Sequence, residues 1–117
     1  MSRAKSKGTA FETLIVGGLQ QHLGDGVCRR TTNGTKDRGD VHGVYAHGQR
    51  LVLELKNHKT MDLAGWVREA ETERGNDDAL AGVVVHKRRG TTDPLEQYAT
   101  MTVRELLALV TGQRIPS

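Results

Sequence analysis

The chain has 117 residues, the size of one small domain, and a formal net charge of +3. Its single cysteine, Cys28, excludes an internal disulfide and a four-cysteine zinc site. No apolar run approaches the ~20 residues of a membrane-spanning helix, and no signal-peptide apolar region follows the basic N-terminus. We therefore expect a soluble cytoplasmic protein with one domain at residues 9–112, between a flexible basic tail at 1–8 and a short tail at 113–117.

The first predicted element is an amphipathic helix. Thr9 and Glu12 match a capping box, which predicts that the helix begins there. Apolar residues then recur at helical spacing as far as Leu23, so one face of the helix is expected to be buried. Short strand candidates follow at 27–31 and 40–46, separated by a polar loop. Cys28, inside the first candidate, is expected to be a small buried side chain.

The clearest strand lies at residues 51–56. Because strand side chains alternate, its three leucines share one face while Val52, Glu54 and Lys56 share the other. We expect the leucine face to pack inward and the charged pair to face solvent or a cleft. A turn near Gly48 predicts an antiparallel hairpin with 40–46, which brings Asp40 beside Glu54 and Lys56.

A second helix should follow a cap at Asp62 or Thr60, with Trp66 on its apolar stripe. Trp66 is expected in the core rather than as a platform for base stacking. Three glutamates of this helix are expected to form a solvated face, although two of them, one turn apart, are within possible reach of the end of strand 51–56. The three glutamates are Glu69, Glu71 and Glu73, and the two that could reach the end of the strand are Glu69 and Glu73.

The last part of the chain alternates between strand and helix patterns. Residues 81–86 are continuously apolar up to His86, as in a strand that is buried on both faces. Residues 98–101 are a candidate edge strand, and a second capping box at Thr102 and Glu105 starts the last helix. The order α-β-β-β-α-β-(β)-α predicts an α/β fold in which a mixed β-sheet is flanked by helices.

The predicted hairpin has a chemical consequence. Two carboxylates that converge at one end of a sheet repel each other unless a cation lies between them. Carboxylate oxygens with room for water suit Mg²⁺ and Mn²⁺. The sequence therefore predicts a divalent-cation site at Asp40 and Glu54, with Lys56 beside it. The alternative is an ordinary ion pair between Glu54 and Lys56, with Asp40 serving only to close the preceding loop.

Asp40, thirteen intervening residues and Glu54-Leu55-Lys56 resemble the D…E-x-K signature of the PD-(D/E)XK nuclease superfamily. Gly8, Glu12 and the helix that contains them are similar to the first helix of small phage-type Holliday junction resolvases, as is the segment Arg38-Gly39-Asp40-Val41. The resemblance covers roughly residues 7–110. The proline of the name PD-(D/E)XK, which precedes the aspartate, is replaced in this chain by Gly39.

The resemblance implies a restriction-endonuclease-like fold and a Mg²⁺-dependent DNA endonuclease, with Mn²⁺ able to substitute. It implies metal ligands at Asp40, Glu54, the Leu55 carbonyl and Glu12, although the capping box alone would also explain Glu12. Lys56 would orient the attacking water and stabilise charge in the transition state. A homodimer would suit the two-fold symmetry of a four-way junction.

Basic residues near the predicted site are expected to hold DNA phosphates, which position DNA without reading its sequence. They are Arg29, Arg30, Lys36, Arg38, His58, Lys59, Lys87, Arg88 and Arg89. Solvated surface charge is the alternative for each of them. Three other functions stay open: a flap, nicking or restriction-type nuclease on the same fold, a non-catalytic DNA-binding accessory protein, and a toxin-like ribonuclease.

Overall fold

The structure is a computed structural model that describes residues 3–30 and 39–116, and the side chains of 7–30 and 39–116. These residues form an α/β fold with three α-helices and a mixed sheet. The helices are α1 (Arg3–Leu23), α2 (Leu63–Asp77) and α3 (Val103–Thr111). The strands are β1 (Cys28–Arg29), β2 (Val41–His42), β3 (Tyr45–Ala46), β4 (Gln49–Lys56), β5 (Ala81–His86) and β6 (Tyr98–Thr100).

The main sheet has the strand order β3-β4-β5-β6. Its centre is the parallel pair β4 and β5, in register from Leu51 opposite Ala81 to Lys56 opposite His86. The outer strands β3 and β6 are antiparallel to their neighbours, while β1 and β2 form a separate two-stranded ribbon. Helix α2 is the crossover that a parallel pair requires. The predicted central strands and the crossover helix are confirmed.

Helices cover both faces of the sheet. On one face, Val16 of α1 packs in a cluster with Leu53 and Val83, and α3 adds Ala108 beside Ala81. On the other face, α2 sets Trp66 and Ala70 against Val84, with Val67 at the margin. The core is therefore aliphatic apart from a few aromatic side chains, as the low aromatic content requires.

Two helices begin and end where the sequence predicts. Asp62 caps α2 by accepting a hydrogen bond from the Gly65 N–H at 3.2 Å, and Thr102 caps α3 by accepting one from Glu105 N–H. Gly112, with a φ of 77°, ends α3 in the left-handed conformation that glycine adopts without steric cost. None of the helices in the described part of the chain has the length and apolar character needed to cross a membrane.

The beginning of the chain differs from its prediction. Helix α1 begins at Arg3, so the predicted flexible tail is helical from residue 3 and the capping box at Thr9 is not used. The segment contains alanine, lysine and arginine, which have high helix propensity and extend the helix backwards. At the other end, the predicted tail is tied down, since Arg114 forms an ion pair with Glu105 at 2.7 Å.

The ribbon region also differs. Cys28 is exposed rather than buried, because β1 belongs to the two-stranded ribbon and not to the main sheet. The strand predicted at 40–46 is broken into β2 and β3 at Gly43, which has a φ of 97°. A Cβ atom at Gly43 would lie 2.1 Å from the Gly26 carbonyl oxygen, so only glycine fits this crossing of two backbone segments.

Candidate active site

A row of acids on α2 faces alternate residues of β4. The acids recur every four residues and so lie along one side of the helix. The residues of β4 that they meet share one strand face, which is covered by α2 and not open to solvent as one alternative predicted. From the carboxyl end of β4 backwards, the opposed pairs are Lys56 with Glu69, Glu54 with Glu73, and Arg50 with Asp77.

The outer two pairs join opposite charges. Lys56 Nζ lies 2.8 Å from Glu69 Oε2, and Arg50 Nε lies 3.3 Å from Asp77 Oδ2. Each acid in these two pairs, the exposed Glu69 and the buried Asp77, therefore has a cation that compensates its charge. Arg30 adds a second cation to Asp77, with two hydrogen bonds of 3.1 Å.

The central pair joins two acids. Glu54 is 6% exposed and Glu73 is 3% exposed, and their side chains are hydrogen-bonded to each other. Two carboxyl groups make such a bond only when one carries a proton. Burial, followed by the hydrogen bond that protonated Glu54 donates to Glu73, raises the pKa of Glu54 to about 8. Carboxylate oxygens of Glu54, Glu69 and Glu73 lie within 4.8 Å of one another, a spacing that one bound cation can bridge.

Asp40 lies against the same point of β4. Its N–H donates to the Leu53 carbonyl at 3.0 Å, its Oδ2 accepts from the Leu55 N–H at 2.7 Å, and its side chain is hydrogen-bonded to Glu54. The predicted closeness of Asp40 and Glu54 is therefore present. It does not come from a continuous hairpin ladder, because only β3 pairs regularly with β4 on this side.

Gly39 makes the approach of Asp40 possible. Its φ is 96°, and a Cβ atom there would lie 2.9 Å from Val52 Cγ1. A side chain at this position would be strained in conformation and would also collide with the buried face of β4. Glycine at position 39 is thus required by the local backbone.

Lys56 completes the group. Its Nζ lies 3.9 Å from Glu54 Oε1, in addition to its contact with Glu69. Burial alone would lower the pKa of Lys56, but the hydrogen bond that its ammonium group donates to Glu69 and the nearby acids Glu54 and Asp40 outweigh it and raise that pKa. The amine is therefore a permanent cation beside the acids.

The charged neighbour of Glu12 in the structure is Arg29, which the sequence did not predict. Glu12 Oε2 lies 2.7 Å from Arg29 Nη2, so it joins α1 to the ribbon by an ion pair. The capping role is wrong, because α1 begins well before Thr9. Among the described acids, the close group of Glu54, Glu69 and Glu73 does not include Glu12.

The predicted DNA-binding residues fall into two sets. Arg29 and Arg30 are paired with acids, Glu12 and Asp77 respectively, and Lys36 and Arg38 lie outside the described residues. The second set lies together around a cavity at the carboxyl ends of β4 and β5. Its members are His58, Lys59, Lys87, Arg88 and Arg89.

From the sequence, a solvated position was predicted for Glu73, and Asp77 was not assigned to the site. Glu73 belongs to the buried side of α2, not to the solvated face expected for it. A signal was present, since Trp66, Ala70, Glu73 and Asp77 continue a single buried stripe along the helix. Acids that stand at the core positions of an otherwise apolar stripe indicate a buried polar site.

Comparison with protein-family models, curated proteins and solved structures finds no match to this chain. What the site does therefore has to follow from its own chemistry. That chemistry is a buried carboxyl pair, a lysine at its edge and a basic cavity beyond the lysine.

Proposed function

We propose that this protein is a metal-dependent DNA endonuclease that hydrolyses phosphodiesters with Mg²⁺, for which Mn²⁺ can substitute. The observation that supports this most directly is the buried pair Glu54 and Glu73, in which two carboxyl groups face each other at the centre of the acid row. The α/β architecture and the D…E-x-K pattern are compatible with a restriction-endonuclease-like fold.

The donor set fits a hard divalent cation. Glu54, Glu69 and Glu73 would supply carboxylate oxygens that lie within 4.8 Å of one another, and Asp40, which is outside that group, lies beside Glu54 and would join them. The resemblance adds the Leu55 carbonyl and Glu12, which would have to leave Arg29 to take part. When bound, the cation would replace the proton held by Glu54, lower the pKa of a water molecule and stabilise charge on the phosphate.

The chain's own residues have separate tasks in this reaction. A water molecule would give up a proton to solvent as its oxygen bonds to phosphorus, the bond from phosphorus to the 3′-oxygen would break, and the departing 3′-oxygen would take up a proton from a second water molecule. Lys56, held between Glu54 and Glu69, would orient the water and stabilise the growing negative charge on the phosphate. Arg88 and Lys59, on the cavity beyond it, would hold the DNA backbone.

The narrower proposal is a homodimer that resolves four-way junctions by paired nicks. Helix α3 carries an outward apolar stripe at i, i+3, i+4 and i+7 that suits contact with a second copy. Its members are Val103, Leu106, Leu107 and Val110, which are 71%, 49%, 44% and 69% exposed. A two-fold contact through this stripe is self-complementary and would give the pair of active sites that a symmetric junction needs.

Cleavage of synthetic DNA tests both the general proposal of a DNA endonuclease and the narrower proposal of junction resolution. A four-way junction, a flap and a linear duplex are incubated with the protein and Mg²⁺, Mn²⁺ or EDTA. We expect symmetric paired nicks in the junction with either metal and none with EDTA. Cleavage confined to the flap or duplex would favour another nuclease on the same fold, and cleavage confined to RNA a ribonuclease. No cleavage of any substrate would favour a DNA-binding accessory protein.

Charge-removing variants locate the activity in the acid row. We expect Asp40→Asn and Glu54→Gln each to lower the cleavage rate by about 100-fold or more, while junction binding is kept or tightened, because local negative charge falls. Asp25→Asn, an exposed acid in the turn after α1, is the matched control and should cleave normally. Full activity of Glu54→Gln would contradict the proposed site.

A further inference from the structure

A cavity of about 310 Å³ opens beyond Lys56, between the loops that follow β4 and β5. Lys59 comes from the first loop and Arg88 from the second, while α2 contributes Trp66 and β6 contributes Tyr98. Because β4 and β5 are parallel and in register, both loops leave the sheet at the same end. The cavity therefore adjoins the acid row and shares Lys56 with it.

Four rings form a continuous row along this cavity. The ring centroids are separated by 5.7 Å between His58 and Trp66, 5.8 Å between Trp66 and His86, and 5.5 Å between His86 and Tyr98. The middle of the row is closed, since Trp66 and His86 are each 5% exposed, whereas Tyr98 is 50% exposed. A planar group can extend the row only at its open ends, at Tyr98 or at His58.

Positive charge surrounds these rings. The Arg88 guanidinium lies 5.7 Å from the centre of the Tyr98 ring, and Arg89 donates to the His58 carbonyl at 2.9 Å, which ties the two loops together. Lys59 is exposed and has no hydrogen bond or ion pair to any residue in the described ranges. No described carboxylate lines the cavity, and Glu96, which pairs with Arg88 at 3.4 Å, is not among its lining residues.

The combination of rings and cations distinguishes this cavity from a plain phosphate site. Phosphates need only cations, and exposed lysines and arginines would hold duplex DNA without any aromatic surface. A row of rings with an exposed end, inside a cationic rim, is the arrangement that binds unstacked bases in single-stranded nucleic acids. The size of the cavity suits one nucleotide rather than a duplex.

We propose that this cavity binds one unpaired nucleotide of the DNA substrate, with the base against the half-exposed Tyr98 ring and the phosphate held by Arg88 and Lys59. The proposal rests on the proposed function, because it takes DNA as the substrate, and it narrows that function. Since the cavity shares Lys56 with the acid row, the cut would fall beside an unpaired position. The preferred substrate class is then DNA that is branched or locally open at the cleavage site.

Binding in EDTA tests the proposal without cleavage. The probes are a short oligothymidylate and an oligonucleotide of the same length and backbone whose positions are all abasic, each followed by fluorescence anisotropy. We expect the wild-type protein to bind the oligothymidylate about tenfold more tightly, because only that probe can stack. Equal affinity for the two probes would overturn the proposal and leave a phosphate site only.

Variants at the two exposed tyrosines locate the effect. Tyr98→Ala should abolish the preference for the base-containing probe, and Tyr98→Phe, which keeps the ring, should retain it. Tyr45→Ala is the matched control, since Tyr45 is 56% exposed on β3, at the opposite edge of the sheet. A preference that survives Tyr98→Ala, or that is lost in Tyr45→Ala, would contradict the assignment of the base to Tyr98.

A second measurement does not depend on the variants folding. Trp66 is the only tryptophan of the chain and lines the cavity, so its fluorescence reports on a bound base. We expect oligothymidylate to change the Trp66 emission and the abasic probe to leave it unchanged. An unchanged emission with both probes, or tighter binding of oligouridylate than of oligothymidylate, would overturn the proposal.

The outcomes separate this inference from the function on which it rests. Base-dependent binding without junction cleavage in Mg²⁺ would contradict the nuclease and leave the nucleotide site in place. Junction cleavage by a protein that does not distinguish the two probes would contradict the nucleotide site and leave the nuclease in place.

Discussion

Glu54 stands at a position where a carboxylate is costly. It is buried under α2, faces Glu73 and has Lys56 as its nearest described cation at 3.9 Å. In the folded protein without metal the unfavourable charge is avoided by holding a proton, which is what a pKa of about 8 expresses. A divalent cation that replaced this proton at neutral pH would compensate the negative charge of Glu54 in the same way.

This protonation makes stability depend on pH. The pKa of Glu54 is raised on folding from 4.5 to about 8, so the folded state binds more protons than the unfolded state between these values. The stabilisation is complete below pH 4.5 and is lost as pH rises through 8. For this group alone, we expect the free energy of unfolding in EDTA to fall by about 4 kcal/mol between pH 5 and pH 9.

Denaturant unfolding in EDTA across this pH range measures the effect. Glu54→Gln, which has no titrating group at this position, should show a flatter profile, whereas Asp25→Asn should follow the wild type. Mn²⁺ should raise the wild-type melting temperature more at pH 8 than at pH 6, because the site is then closer to its deprotonated form. The same slope in Glu54→Gln as in the wild type would show that Glu54 does not carry the proton.

At the level of secondary-structure elements, the site depends on how closely α2 packs on the sheet. Gly82 of β5 lies directly below the helix, and a Cβ atom there would lie 2.7 Å from the Ala70 carbonyl oxygen. Helix backbone and strand backbone are therefore in contact at this point. The distance between Glu73 on the helix and Glu54 on the neighbouring strand is fixed by that contact.

A single added methyl group should lift the helix. We expect Gly82→Ala to destabilise the fold by about 1–3 kcal/mol and to weaken Mn²⁺ binding, because α2 must move away from β4 and β5. Gly17→Ala is the control, since a Cβ atom at Gly17 meets nothing within 4 Å. Urea unfolding and Mn²⁺ titration calorimetry give the two readouts. Wild-type Mn²⁺ affinity in Gly82→Ala would mean that this contact does not set the site.

The elements themselves could be predicted from the sequence to a large extent. The alternation in β4, the apolar run of β5 and the caps at Asp62 and Thr102 are local signals, and each matches the structure. The predicted start of α1 was wrong, because a capping box is only a local preference and the residues before Thr9 also favour helix.

The candidate site could be predicted only in part. Asp40, Glu54 and Lys56 were brought together by a predicted hairpin through the turn near Gly48, of which the structure keeps only the β3–β4 part. Asp40 is held beside β4 instead by its own hydrogen bonds to the backbone of that strand. Glu73 could not be placed, because the sequence does not show which face of a crossover helix meets which strand. The ion pairs of Glu12 and Arg30 could not be predicted either, since their partners lie far away in the sequence.

At the scale of the whole molecule, α3 presents its two faces in an unusual way. Glu105 and Ala108 point into the protein, where Glu105 accepts a hydrogen bond from the Gly82 N–H at 3.0 Å. The larger apolar side chains, such as Leu106 and Val110, point outward. An exposed apolar stripe of this kind marks an interaction surface, which we assign to the proposed dimer.

Self-association through α3 can be removed by charge. We expect the wild-type protein to sediment as a dimer and Leu106→Glu with Val110→Glu to sediment as a monomer, because four buried carboxylates would face one another across the two-fold axis. Leu95→Glu, which changes an exposed leucine outside α3, is the control. The monomeric variant should nick one strand of a junction without pairing the nicks. A monomeric wild type under the conditions of the cleavage assay would contradict this interface.

The in-register parallel pair of β4 and β5 also affects which parts of the protein can change in sequence during evolution. Glu54, Glu73 and Asp77 are enclosed between α2 and β4, where a change in one residue disturbs the packing of two elements. The loops after Lys56 and His86, by contrast, leave the sheet side by side and carry little of the core. Insertions and substitutions there can reshape what lies next to the buried acids while the scaffold keeps its form. Two parts of one molecule, a few residues apart, are thus free to evolve at very different rates.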